Sequence, residues 1–106
     1  MGDPAGAAEA FSRAVKARPQ SAELHYDYGL VLSRQGKLDE AIAQYRQALR
    51  LNAGSADIHN NLGTALARQR RFNEAAAHFR EALKLRPDFA GARLNLERLQ
   101  HVAAEA

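Results

Sequence analysis

The chain has 106 residues, the length of one domain, and balances 15 Lys and Arg against 12 Asp and Glu, for a net charge of +3 supplied mostly by arginine. With 46% apolar and 25% charged residues it has the composition of a soluble folded chain, which argues against wholesale disorder. The absence of cysteine excludes a disulfide framework, a thiolate zinc site and a cysteine nucleophile, and no apolar run nears the roughly 20 residues that span a bilayer.

Taken in chain order, the apolar spacing is helical throughout and predicts six helices, an all-α fold. Asp3-Pro4 reads as a cap and a first-turn proline opening a helix over 5–18, which Pro19 closes. Ser21 then caps a helix over 22–35, where Leu24, Tyr28, Val31 and Leu32 recur at i, i+4, i+7 and i+8. The Gly36-Lys37 step separates it from a helix over 38–52 carrying Leu38, Ala41, Ile42, Tyr45, Ala48 and Leu49 on one stripe. Ser55 caps the next, over 56–69, with Ile58, Leu62, Ala65 and Leu66 in register. Arg70-Arg71 leads into a helix over 72–86, with Phe72, Ala75, Phe79, Ala82 and Leu83, closed by Pro87. Asp88 is placed to cap a last helix over 89–103.

The chain repeats itself at a spacing of 34. Residues 22–55 laid over 56–89 match at 13 of 34 positions, with conservative exchanges such as Tyr45/Phe79 and Leu38/Phe72. A fixed period of this length signals stacked units, because each has apolar faces that only its neighbours cover. The chain divides into a half repeat (1–21), two whole repeats (22–55 and 56–89) and a closing half repeat (90–106), all one domain.

Each unit resembles the tetratricopeptide repeat (TPR), a pair of antiparallel helices, A then B. Counting Ala22 and Ala56 as position 1, the small residues of the motif are Gly29 and Gly63 at position 8, Ala41 and Ala75 at position 20, and Ala48 and Ala82 at position 27. Tyr45 and Phe79 are the aromatic at position 24, and Pro87 stands at position 32 where the earlier copy has Ala53. Glycine facing alanine lets the two backbones approach toward the short end of the usual 8–10 Å, and the aromatic fills the gap beside them. In the last copy position 8 is Glu97 and position 11 is Gln100, so the closing helix reads as a polar cap with Glu97, Arg98, Gln100 and His101 in water. At the start, a B helix without its A helix points to a piece of a longer repeat array. Its exposed flank is the natural place for self-association, including a homodimer through the terminal faces.

The resemblance implies a right-handed superhelix whose A helices line a concave groove, and hence a non-enzymatic scaffold holding a peptide segment of another protein. The stripe away from the core runs through positions 2, 5, 6, 9, 12 and 13. The candidate peptide-binding residues on it are Tyr26, Asp27, Leu30 and Arg34 on the first A helix, Asn60, Asn61, Thr64 and Arg68 on the second, and Asn95 and Arg98 on the last. Position 6 reads Asp27, Asn61, Asn95. A carboxamide offers both a donor and an acceptor, so such a row can grip the backbone of an extended peptide, as the similar repeats of O-linked N-acetylglucosamine transferase do. The plainer alternative is a polar face kept for solubility. Of the pattern with which chaperone-binding members hold a C-terminal carboxylate only Asn61 is present: Tyr26, Leu30, Gly91 and Asn95 replace the others.

Arg34 and Arg68 share position 13 and suit an acidic peptide, although a basic side chain at a helix C-terminus also offsets the helix dipole. Acids interleave with the basic residues, so no single-signed stripe points to nucleic acid, and nothing points to a membrane. His25 and His59 share position 4 and read as packing residues rather than metal ligands, since one repeat separates them. His78 and His101 join no catalytic grouping by local spacing, so no catalytic residue, metal or cofactor is expected. The competing functions are an architectural or self-association module and the substrate-docking arm of a larger enzyme. A cytoplasmic location is the expectation for a chain that shows no targeting pattern.

Overall fold

The computed structural model describes residues 4–105, and side chains from 5 to 102, as six α-helices with no strand among them. These are α1 (Pro4–Ala17), α2 (Ala22–Arg34), α3 (Leu38–Leu51), α4 (Ala56–Arg68), α5 (Phe72–Leu85) and α6 (Ala90–Glu105). Each lies within two residues of its predicted span; the cap expected at Asp3 falls outside the described residues. The chain forms two compact units, Met1–Ala53 with α1 to α3 and Gly54–Ala106 with α4 to α6.

The helix starts follow their caps. The Ser21 hydroxyl accepts the Leu24 backbone N–H at 3.2 Å, and Ser55 does the same for Ile58 at 3.2 Å, each quieting one of the free amides of the first turn. α3 and α5 start without a capping side chain, at Lys37 and Arg71. Their first turns carry Asp39, Glu40 and Glu74, whose charge suits the positive end of the helix. Glu74 also takes two bonds from Arg71, at 3.0 and 2.9 Å. Asp88 is not the residue next to α6. Phe89 is, and its carbonyl accepts from Arg93 at 3.1 Å.

The stops are equally local. Arg86, preceding Pro87, leaves the helical region at φ −143°, because a proline ring crowds helical backbone in the residue before it. Both A helices end in a hydrogen-bonded reversal. In α2 the N–H groups of Lys37 and Gly36 reach the carbonyls of Leu32 and Ser33; in α4 those of Arg71 and Arg70 reach Leu66 and Ala67. This motif needs a left-handed residue. Gly36 supplies it at φ 79°, whereas the second unit uses Arg70 at φ 63°. A side chain there costs about 1–2 kcal/mol. Arg70→Gly should therefore raise stability by about 0.5–1 kcal/mol, the relieved strain being partly offset by the greater freedom of glycine in the unfolded chain. Urea denaturation measures it, and an unchanged or lower midpoint would contradict the strain.

The core of each unit is set by its repeat. In the first, Ala41, Ala48 and Tyr45 are at most 1% exposed beside Leu32; in the second, Ala75, Ala82, Leu62 and Leu66 are fully buried beside Phe79. The glycines work somewhat differently from the expectation. What Gly29 and Gly63 make room for is the aromatic ring itself. A Cβ built on Gly29 would lie 2.6 Å from Tyr45 Cε1, and one on Gly63 would lie 2.7 Å from Phe79 Cε1.

Candidate functional site

The side chains proposed for the groove stand outside both cores. Tyr26, Asp27 and Leu30 in α2, Asn60, Asn61 and Thr64 in α4 and Asn95 in α6 are half-buried, and Arg34, Arg68 and Arg98 are exposed. In the first unit, Tyr26 rests against the core ring of Tyr45, with centroids 6.1 Å apart. Burial lifts the Asp27 carboxyl above the usual carboxylate range, and Glu23 one turn earlier adds to the shift.

In the second unit the A helices α4 and α6 and the B helix α5 border a cavity of about 470 Å³ that is open to solvent. Four of the predicted groove residues wall it: Thr64, Arg68, Asn95 and Arg98. The polar wall is tied together, because Asn95 Nδ2 donates to Asn60 Oδ1 at 3.0 Å and so links α6 to α4. Asn61 turns its Nδ2 to its own helix, donating to the Asp57 carbonyl at 3.0 Å, as Thr64 Oγ1 does to the Asn60 carbonyl. The carboxamide pairing across the two helices thus runs from Asn95 to Asn60, one position away from the row read in the sequence.

The rest of the lining was not read as part of a site. Phe72 and Phe79 form an aromatic floor, Ala67, Leu99 and Val102 extend it, and Arg70 stands at its edge with its guanidinium 5.3 Å from the Phe72 ring centre. The signal for Phe72 and Phe79 was present, but it was the signal of a helix-pair core, and a ring can serve both. For Arg70 the signal was an arginine 34 residues after Gly36. An ion pair of Arg86 with Asp57 at 3.3 Å, and the stacking of Arg86 on Phe89 at 3.9 Å, hold the loop before α6 against the start of α4. These contacts fix where Asn95 and Arg98 emerge.

The histidines have structural partners. His25 is buried; its Nε2–H donates to the Pro19 carbonyl at 2.8 Å and its Nδ1 lies 2.7 Å from Gln44 Oε1. In the second unit a histidine takes the place of Gln44: His59 Nδ1 and His78 Nδ1 are 3.0 Å apart, with the rings stacked at 5.3 Å. Sequence reasoning left His78 without a partner, because the contact joins residues 19 apart on two helices. Among the described residues no three histidine or carboxylate side chains gather as a metal site, and no helix is long and apolar enough to cross a membrane.

A family profile described as tetratricopeptide repeat matches residues 1–56, 29–88 and 60–96. A mutant O-GlcNAc transferase of Thermobaculum terrenum is 29% identical over 94% of this chain and 19% of that one, with a TM-score of 0.87. YrrB, described as a TPR protein with an unusual peptide-binding site, is 28% identical over 84% of this chain and 46% of its own, with a TM-score of 0.81. The second TPR domain of human RPAP3, solved with the HSP70 peptide SGPTIEEVD, is 25% identical over 88% of this chain and 78% of that domain, with a TM-score of 0.84. No curated protein matches the chain in sequence.

Proposed function

The chain belongs to the tetratricopeptide repeat family, whose members are in general non-catalytic interaction modules, and from that premise we propose that it is a scaffold that holds a peptide segment of a partner protein against its A helices. The observation that carries this reading is the cavity on α4 and α6. Four side chains chosen from the repeat register alone, Thr64, Arg68, Asn95 and Arg98, wall one concave space together with an apolar floor. A few polar groups around an apolar base is the usual make-up of a ligand pocket, and about 470 Å³ falls within the usual size range. The peptide-bound RPAP3 domain supports the same class of ligand for this fold. We assign residues 22–55 and 56–89 as whole repeats, with 1–21 and 90–106 as half repeats at either end.

In this reading Asn61 and Asn95 hold the peptide backbone and contribute little to the fold. Both lie outside the core, where Asn61 bonds to the Asp57 carbonyl and Asn95 to Asn60 on half-buried or exposed ground. Asn61→Ala should therefore change stability by no more than about 0.5 kcal/mol, and Asn95→Ala, which also loses the bond to Asn60, by no more than about 1.5 kcal/mol. On an array of random peptides, the spots retained by the unaltered protein should be lost or weakened by each variant. Unfolding of the variants, or retention of the same spots at the same strength, would overturn the assignment.

A further inference from the structure

Resting on the peptide-scaffold reading, we infer that the cavity between α4, α5 and α6 accepts a bulky apolar side chain flanked by carboxylates, from the interior of an acidic segment of a partner protein. The floor selects the apolar side chain: Phe72, Ala67 and Val102, the apolar lining residues with exposed surface, offer no hydrogen-bonding side chain, so a polar side chain seated there would lose water without compensation. The walls select the neighbours. Arg68, Arg70 and Arg98 line the space, and no acidic residue does. Two acids of this unit pair with other arginines, Glu74 with Arg71 and Asp57 with Arg86. Planar guanidinium forks match carboxylates, and they do so more strongly beside apolar surface than in open water.

Arg70 provides an independent pointer. The reversal after α4 has the same two hydrogen bonds as the one after α2, where glycine adopts the left-handed shape without strain. At Arg70 the strained backbone is kept, and what the side chain adds is a guanidinium at the mouth of the cavity, over the ring of Phe72. Strained conformations of this kind collect at functional sites. Arg70 and Arg98 on one space also call for more than one carboxylate, which side chains on either side of the seated residue supply and a lone chain terminus does not.

The test uses the full chain and four fluorescein-labelled, C-terminally amidated peptides read by anisotropy: GEDFEDG, GSSFSSG, GKKFKKG and GEDGEDG. GEDFEDG should bind roughly tenfold tighter than each of the others, and as salt is raised it should lose its margin over GSSFSSG and GKKFKKG but keep its margin over GEDGEDG, which differs only in the apolar side chain. Arg98→Gln should shrink the preference for acidic flanks severalfold and Arg98→Glu should shrink it further, both with the helical circular dichroism of the parent. A merely structural role for Arg98 would leave the charge preference as it was. Equal binding of GSSFSSG or GEDGEDG to the parent, or Arg98 variants that keep the acidic preference undiminished, would overturn the inference. If the asparagine variants still lose their array spots in that case, the scaffold reading stands without it; if the array retains nothing at all, both fall.

Discussion

Phe79→Ala is expected to lower the unfolding free energy by about 3–5 kcal/mol, the range for removing a large ring from a well-packed core. Against a total of about 5–15 kcal/mol for a domain, that is a large fraction of the stability. The ring is 2% exposed and bordered by Ala75 and Ala82, both fully buried. None of these neighbours can extend into the space it leaves, and across from it Gly63 has no side chain to offer. Part of the void would open onto the cavity of which Phe79 is the floor, so water can enter and the cost should fall toward the lower end. Urea unfolding followed by circular dichroism measures the change. A loss under about 1 kcal/mol would mean that the ring is less tightly held than its burial implies. The same variant should also lose binding of GEDFEDG, but unlike the asparagine variants it should do so together with stability.

The helices were legible in the sequence because their boundaries are decided locally. Ser21 and Ser55 act within three residues, and the prolines act on the residue just before them. The expected α3 and α5 ran one residue too far, to Asn52 and Arg86: both residues leave the helical region, at φ −146° and −143°, so the helices stop at Leu51 and Leu85 whether Ala53 or Pro87 follows. The expected cap at Asp88 failed for a related reason. The turn after Pro87, closed by the Phe89 N–H donating to the Arg86 carbonyl at 3.0 Å, delays α6 by one residue.

That Thr64 and Arg98 line one cavity agrees with the period, since residues 34 apart on A helices share a face, but that this face lines a groove was implied by the family resemblance and not by the period. The floor was legible in neither. Phe72 and Phe79 carry the pattern of a helix-pair core, and only the placement of α6 decides that Phe72 stays half-exposed beside a cavity while Phe79 is buried behind it. The hydrogen bond from Asn95 to Asn60 escaped for a similar reason. It depends on the rotation of α6 relative to α4, a matter of side-chain packing that spacing does not record. His59 and His78 show the same limit, each unremarkable alone and joined only once the two helices are docked.

Gly63→Leu is expected to cost about 1–3 kcal/mol or more, and its coupling to Phe79 makes the seam between α4 and α5 testable. The first carbon alone would approach Phe79 Cε1 to 2.7 Å, Cδ1 to 2.9 Å and Cζ to 3.1 Å, where unstrained carbon pairs settle near 3.5–4.0 Å. A solvent-facing ring could swing aside, but this one is enclosed and Ala75 sits beside it with no exposed surface. Leucine forms helix more readily than glycine, by about 1 kcal/mol, which opposes the clash without cancelling it. Gly63→Ala, with the same gain and only one carbon to place, should therefore cost less than Gly63→Leu. Combining Gly63→Leu with Phe79→Ala gives the leucine the space that the ring vacates. The double variant should then be more stable than the sum of the two single losses predicts, by about 0.5–3 kcal/mol. Strict additivity in urea titrations would show that the glycine is not there for the ring. The first unit provides a parallel case, because a Cβ on Gly29 meets Tyr45 Cε1 at 2.6 Å, and Gly29→Leu should be destabilising in the same way. Gly36 provides the contrast. A Cβ there would meet nothing within 4 Å, so substituting it costs only through its backbone at φ 79°, and no change to Tyr45 should relieve that cost.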